Sequence, residues 1–215
     1  MINTIKQIIE KDYVLKERDM GDLQEIHKGM YHFYNHSYSI IGVGSFFTME
    51  MRAMLGLMKM QTIVISPQYK ELDFCNVDAI HALSNDTLML EMYRSSNQSC
   101  DLSEFDELRN KVKNLTDYES APRWYDSYKR SSCIAKKGVR AKRIHQELTK
   151  QYINIYIDLL KKAPYCDYSE KQQLTNDYVS KLIENGGAAV DSLVKMIGRE
   201  PTVQLINRFM FNVKD

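Results

Sequence analysis

The sequence predicts an α+β sandwich built on an antiparallel sheet. Segments with the two-residue period of strands fill most of the first half of the chain, and segments with the helical 3.6-residue period fill the second half. Short connections join the strand-like segments, which is typical of antiparallel pairing. One amphipathic helix precedes them. This order favours a sheet covered by helices in a single domain, residues 1–215.

The first elements are a helix and an aromatic strand. Within residues 1–20, Ile5, Ile8 and Ile9 form one helical face that extends toward Val14. Residues 31–42 are rich in aromatic and other β-forming residues, so a strand is predicted there.

The central strands follow. In residues 48–52 polar side chains alternate with Met49 and Met51, which predicts a strand with two different faces. A turn at Gly56 leads to a strand that ends at Pro67. Residues 74–83 and 87–93 are the next strands, separated by a turn at 84–86.

The rest of the chain is predicted to be mainly helical. A short helix falls within residues 97–120, and a β-like patch follows between 124 and 135. Two helices cover residues 172–184 and 188–197. Before them, a long helix is marked by apolar residues at helical spacing: Ala141, Ile144, Leu148, Tyr152, Ile155 and Leu159.

Composition excludes several classes of protein. With 44% hydrophobic and 27% charged residues, the chain has the balance of a globular protein rather than a disordered one. A net charge of +1 disfavours a polyelectrolyte built for nucleic acid. No run approaches about 18 apolar residues, and the N-terminus lacks the apolar core of a signal peptide. The four cysteines form no CxxC pair, so we expect reduced thiols and a cytoplasmic location.

Familiar catalytic motifs are absent or incomplete. Gly42 and Gly44 supply half of a dinucleotide fingerprint, but Phe47 takes the third glycine position and no βαβ unit surrounds it. His32 and His36 have an i,i+4 spacing, yet the stretch is extended rather than helical, so we expect no metal site.

Asp78 is a carboxylate inside an apolar strand, on the same face as Phe74, Asn76 and Ile80. A buried carboxylate is costly unless it is paired or protonated. Two interpretations stay open: a strand-edge residue that caps a loop or faces water, and a proton donor whose pKa a dry pocket raises. Glu50 lies between two methionines on an earlier strand and is a candidate to face the same space.

Several segments, in collinear order over roughly residues 45–213, resemble the ferredoxin-dependent bilin reductases. Residues 60–78 resemble the central strand pair of that family and align Asp78 with its catalytic Asp. Thr48-Met-Glu50-Met resembles the strand that carries a pocket glutamate. The other similar segments are Pro122-Arg-Trp124, Tyr152-Ile-Asn-Ile-Tyr156, residues 172–177 and Phe209-Met-Phe211.

The resemblance implies a three-layer α/β/α sandwich with a central antiparallel sheet and a linear tetrapyrrole between the sheet and the C-terminal helices. It implies a radical reduction of a biliverdin-type bilin, with single electrons from reduced ferredoxin (or flavodoxin) and no bound flavin, metal or nicotinamide. Asp78, with Glu50, would donate protons. The alternative is a non-catalytic tetrapyrrole carrier or sensor on the same fold. We expect a monomer without nucleic-acid or membrane partners.

The chain departs from the family at positions that the resemblance assigns to substrate binding. The histidine that pairs with the catalytic Asp falls on Gln61, which cannot titrate. The histidine that precedes the pocket glutamate is Thr48. The propionate-binding arginine falls near Lys136 or Lys137, and a lysine supplies charge without a bidentate fork.

The helix that contains Asn176, Asp177 and Tyr178 supplies the remaining predicted site residues. Asn176 would orient a ring or an ordered water, or else cap the start of a helix. Asp177 is a further carboxylate, and Tyr178 replaces the lysine that follows this pair in the family.

A basic segment between Asp126 and Glu147 has seven bases and no acid. Three interpretations are open: a solvated helix entrance, capture of ligand propionates, and docking of an acidic ferredoxin. The bases are Lys129, Arg130, Lys136, Lys137, Arg140, Lys142 and Arg143.

Overall fold

Within residues 1–213, which the computed structural model describes, eight antiparallel strands form one sheet. The path is β1-β3-β4-β5-β6-β7-β8, and β2 also pairs with β3. The strands are β1 (Leu15–Arg18), β2 (Glu25–Lys28), β3 (Tyr31–Ile40), β4 (Gly44–Ala53), β5 (Met58–Pro67), β6 (Phe74–Ala82), β7 (Asn85–Tyr93) and β8 (Ile134–Val139).

Helices cover both faces of the sheet. They are α1 (Ile2–Glu10), α2 (Ser103–Lys111), α3 (Lys142–Lys162), α4 (Tyr168–Asn185), α5 (Ala188–Ile197) and α6 (Arg199–Gln204), followed by a π-helical turn (Leu205–Phe211). Short 3₁₀ turns occupy Gly21–Leu23, Met54–Gly56 and Trp124–Tyr128.

Two apolar cores separate the layers. The first face of the sheet, with Val77 and Leu88, packs against α1, α2 and α3. The second face, with Phe47 and Phe74, packs against α4, α5 and the π-helical turn. Because neighbouring residues of a strand point to opposite faces, each strand contributes to both cores. The predicted α/β/α sandwich with a central antiparallel sheet is therefore confirmed.

Specific side chains fix the helices that cover the sheet. Asp167 is the N-cap of α4, and its Oδ1 accepts hydrogen bonds from the backbone N–H groups of Ser169 and Glu170. In α3 the hydroxyl of the buried Tyr156 donates to the backbone oxygen of Asp73 at 2.9 Å, which ties the helix to the start of β6.

Local boundaries differ from the predicted ones where tertiary pairing competes with helical pattern. The first helix ends at Glu10, because the chain then turns into β1 and pairs with β3, and Val14 is 70% exposed. The β6–β7 turn is at residues 83–84, since Asn85 and Asp86 already pair in the sheet. Of the β-like patch at 124–135, the first part is the 3₁₀ turn and only its end enters β8. No helix in the described chain is long and apolar enough to cross a membrane.

Candidate functional site

Asp78 lies on the second face of the sheet, the face covered by the C-terminal helices. The backbone register places it opposite Thr62 of β5 and Met89 of β7. The Thr62 hydroxyl donates to Oδ1 of Asp78 at 2.5 Å, and Nδ2 of Asn76 donates to Oδ2 at 2.8 Å. Each carboxyl oxygen of Asp78 therefore has a polar partner from the sheet itself.

Burial raises the pKa of Asp78 above its ordinary value. The hydrogen bonds from Thr62 and Asn76 oppose this shift, while the negative charge of Glu91 adds to it. The net rise favours the protonated carboxyl group over a wider pH range than for an exposed aspartate. This is the direction that a proton donor requires.

Glu91 is a second carboxylate on the same face of the sheet, and it is absent from the predicted site. It is the cross-strand neighbour of Asn76 and is almost fully buried. Its Oε2 accepts the hydroxyl of Tyr93 at 2.7 Å, and its Oε1 lies 3.0 Å from Nζ of Lys129. A carboxylate within an apolar strand was the signal that singled out Asp78, and the same signal marks Glu91.

An aromatic cluster from α4, the sheet and the 3₁₀ turn at Trp124–Tyr128 borders the two carboxylates. Tyr178 is 5% exposed, and its ring centroid lies 4.9 Å from Phe74, 5.3 Å from Tyr93 and 5.6 Å from Trp124. Burial, with the nearby charges of Glu91 and Asp78, raises the pKa of Tyr178 well above its usual value. Tyr178 therefore acts as a neutral phenol and a rigid packing surface.

Asn176 and Asp177 occupy the same helix in different environments. Asn176 is inside α4, far from the N-cap Asp167, so the helix-start interpretation is wrong. Its Oδ1 is buried and accepts no hydrogen bond from residues 1–213. Oδ2 of Asp177 accepts the hydroxyl of Tyr128 at 2.8 Å and lies 3.0 Å from Nζ of Lys181. These two partners lower the pKa of Asp177, so it is a poor proton donor.

Four predicted site residues lie on the first face of the sheet, opposite Asp78. Glu50 pairs with Gln61, and Gln61 pairs with Ala79, which directly follows Asp78 along β6. The expectation that Glu50 faces the same space as Asp78 is therefore wrong. The residues on the first face are Thr48, Glu50, Gln61 and Lys136.

The surroundings of Glu50 differ from those of a proton donor. Burial by itself would raise its pKa, but hydrogen bonds from Lys59, Arg52 and Gln61 together hold it below its ordinary value. Arg52 Nε donates at 2.7 Å and Gln61 Nε2 at 2.6 Å. Glu50 is thus an ionised anchor for cations at the sheet surface.

Lys136 and Lys137 also lie on opposite faces of the sheet. Nζ of the buried Lys136 donates to the backbone oxygen of Leu115 at 3.1 Å and pairs with Asp117 at 2.6 Å. The Lys136 ammonium group is therefore already paired on the first face of the sheet, away from Asp78. Lys137 is exposed and shares the second face with Asp78, so its role in binding remains a prediction.

The wrong assignment of Glu50 and Gln61 to the face of Asp78 has one physical cause. Strand side chains alternate between the two faces, so a shift of one residue in register reverses every assignment. The gap-free resemblance selects Gln61 as the partner of Asp78, whereas the sheet selects the adjacent Thr62.

Some bases of the basic segment between Asp126 and Glu147 form ion pairs within the protein. Lys129 contacts Glu91 and Asp126, Arg130 Nε lies 2.5 Å from Asp73, and Lys136 pairs with Asp117. The bases left exposed are Lys137, Arg140, Lys142 and Arg143. Across residues 1–213, no group of three or more histidine, cysteine or acidic side chains is arranged to hold a metal ion.

The site thus belongs to an α/β/α sandwich protein with two carboxylates on the sheet face beneath its C-terminal helices. No family model matches the chain, and no curated protein matches it in sequence. Its fold is similar to that of phytochromobilin synthase from tomato, solved as the selenomethionine protein in complex with biliverdin. The two share a TM-score of 0.77 and 11% identity, over 98% of this chain and 82% of the other.

Proposed function

We propose that this protein reduces a linear tetrapyrrole of the biliverdin type and that Asp78 donates a proton to it. The observation that carries the proposal is the position of Asp78 within an incompletely covered part of the second sheet face. Beyond the aromatic cluster, the neighbouring side chains of this face keep partial exposure: Met60, Ile80, Thr87 and Met89. A flat apolar ligand laid on this surface would bury it and would contact Asp78.

The fold supports the same class of ligand. The similar solved structure is a complex with biliverdin, and the resemblance in sequence points to the same family of reductases. The aromatic rings of Tyr178 and Trp124 border the open part of the face, and such rings suit contact with a conjugated molecule. The exposed cation of Lys137, on the same face, is the proposed partner of a propionate group.

The chemistry follows from the protonation state of Asp78. Each single electron added to a conjugated tetrapyrrole makes it more basic, and the radical then takes up one proton. A carboxyl group with a raised pKa holds that proton close to the ligand, delivers it when the electron arrives, and takes up another proton from solvent before the next electron. Glu91, ion-paired to Lys129, contributes the negative charge that helps to keep Asp78 protonated.

The proposed electron donor is ferredoxin or flavodoxin, both acidic carriers. Lys137, Arg140, Lys142 and Arg143 are the exposed bases that would steer such a donor. Because this attraction is screened by salt, the electron-transfer rate should fall as ionic strength rises. A rate independent of salt would remove donor docking from the proposal.

An anaerobic titration tests the function. Biliverdin is added to the protein, the visible spectrum is recorded, and reduced ferredoxin is then supplied. We expect a shifted spectrum on binding and a further spectral change when the reduced donor is supplied. Asp78→Asn should keep the binding shift and lose the reduction, whereas Glu50→Gln, on the opposite face, should keep both.

Other results of this titration would support a different function. A bound spectrum that the donor never changes would make the protein a tetrapyrrole carrier or sensor. The absence of any spectral change on mixing would exclude biliverdin as the ligand.

A further inference from the structure

One edge of the sheet carries apolar side chains at the tips of successive turns. The β2–β3, β4–β5 and β6–β7 turns and the end of β8 all lie at this edge, because the strands alternate in direction. We call it the apolar edge. Its exposed large apolar residues are Met30, Met54, Leu55, Leu57, Leu83 and Val139.

The side chains at this edge protrude rather than pack. Leu55 is 100% exposed, and Leu83 and Val139 are 66% and 69% exposed. Backbone hydrogen bonds join the turns, from Leu83 N–H to the Leu57 oxygen at 2.9 Å and from Arg140 N–H to the Ser84 oxygen at 2.8 Å. The tips therefore form one connected row and not isolated residues.

The backbone makes this choice of residues costly. Leu55 and Leu83 have φ values of 56° and 57°, in the left-handed region that glycine or asparagine adopts with less strain. Folding alone would favour a small or polar residue at both positions. The fold of the chain by itself therefore does not account for leucine at these two positions.

Bases flank the row. Arg140, Lys142 and Arg143 follow the end of β8 directly and are exposed, and Lys28 precedes Met30. Two nearby acids are engaged, Glu50 with Arg52 and Lys59, and Asp86 with His81 and the backbone of Lys142. The exposed Glu147 lies one helical turn after Arg143 and offsets part of the charge. The apolar edge is thus bordered by an excess of positive charge.

We infer that the apolar edge adsorbs to an anionic lipid bilayer, with Leu55 and Leu83 inserted at the interface and the flanking bases on the head groups. Apolar tips combined with cations are the two components of peripheral membrane binding. Turns two strands apart are separated by about 10 Å, so the row reaches several lipids at once. This inference departs from the sequence-based expectation of no membrane partner; the structure describes no membrane-spanning helix, and adsorption needs none.

Two other occupants fit less well. A second copy of the chain across a two-fold axis would bring the two sets of bases together, which is repulsive. An acidic protein, such as the electron donor proposed above, would use the same bases. It would not account for the separate protruding leucines, since protein interfaces are closely packed patches. Both remain distinguishable by experiment.

The test is co-sedimentation of the full chain with vesicles. We expect binding to phosphatidylcholine vesicles that contain about a third phosphatidylserine, and at least about tenfold weaker binding to pure phosphatidylcholine. The double variant Leu55→Ser/Leu83→Ser should lose at least about tenfold in affinity for the anionic vesicles. Arg140→Gln/Arg143→Gln should lose a similar amount.

Matched controls come from the opposite end of the molecule. Ile41→Ser/Tyr165→Ser removes two side chains that are also exposed and should leave vesicle binding unchanged. Circular dichroism of each variant checks folding. The inference fails if the wild-type chain does not bind anionic vesicles, or if Arg140→Gln/Arg143→Gln loses vesicle binding while Leu55→Ser/Leu83→Ser does not. It also fails if the leucine variant abolishes self-association on a sizing column instead. The proposed reductase activity depends on Asp78 and survives any of these outcomes.

Discussion

The Thr62 hydroxyl donates a 2.5 Å hydrogen bond to Oδ1 of Asp78 across the β5–β6 pair, while Gln61, one residue earlier, lies on the other side of the sheet. This relationship decides which side chain tunes the carboxyl group proposed as the proton donor. It also separates Asp78 from Glu50 by the thickness of the sheet.

Removing the hydroxyl should raise the pKa of Asp78 further. The Thr62 hydrogen bond stabilises the charged carboxylate, so Thr62→Val loses a contribution that opposes the effect of burial. The measurement is a pH titration of the Asp78 carboxyl carbon by NMR. Gln61→Leu is the control and should leave that pKa unchanged. Equal shifts in the two variants would contradict the register.

Asp78 should make the wild-type protein less stable as pH rises. Its pKa is higher in the folded state than the ordinary 3.8, so its contribution is fully present below about pH 4 and is lost as pH rises through the folded value. Asp78→Asn, which does not titrate, should therefore gain stability relative to wild type as pH rises above about 4. Urea unfolding at several pH values measures the difference.

Asp177→Asn is the control of opposite sign. The folded-state pKa of Asp177 is lowered, so its contribution is present at neutral pH and is lost on acidification. The variant should therefore lose stability relative to wild type as pH rises. Two variants with the same trend would show that the environments of these carboxylates are wrongly assigned.

Lys171 should add stability at alkaline pH. It is buried, and its Nζ donates to the backbone oxygens of Leu72 at 2.7 Å and of Ser95. Burial lowers its pKa to about 8, against 10.5 in the unfolded chain. Between these values the folded state has released a proton that the unfolded state keeps, so stability rises by up to about 1.4 kcal/mol per pH unit.

The variant Lys171→Met should lack this slope between about pH 8 and pH 9.5, a range below most tyrosine titration. Urea unfolding of wild type and variant provides the comparison, and Lys150→Met, at an exposed position, should retain the wild-type slope. Parallel pH dependence in wild type and Lys171→Met would contradict the lowered pKa.

Gly44 should tolerate no side chain. A Cβ at this position would lie 2.1 Å from the backbone oxygen of Ser66 and 2.8 Å from the backbone nitrogen of Gln68. The strand backbone itself must shift to relieve such contacts, so Gly44→Ala should cost at least about 2 kcal/mol. Gly187→Ala, where the added Cβ would lie 3.8 Å from Cε1 of Tyr125, should cost less than about 1 kcal/mol. Midpoints of urea unfolding decide between these expectations.

Much of the fold follows from local pattern. The alternation of Met49 and Met51 with polar residues marks β4, and the spacing of Leu148, Tyr152 and their neighbours marks α3. Asp78 stands out because a carboxylate interrupts an apolar strand. Each of these signals is contained in a few consecutive residues, which is why the sequence by itself determines them.

Pairing between distant segments is decided by the tertiary structure alone. Whether Asp78 faces Thr62 or Gln61 depends on strand register, and the contact of Lys129 with Glu91 depends on where the loop before β8 returns to the sheet. Local alternation assigns residues of one strand to two faces but does not say how neighbouring strands align. A one-residue shift exchanges those faces, so only the paired sheet determines which side chains surround the carboxyl group of Asp78.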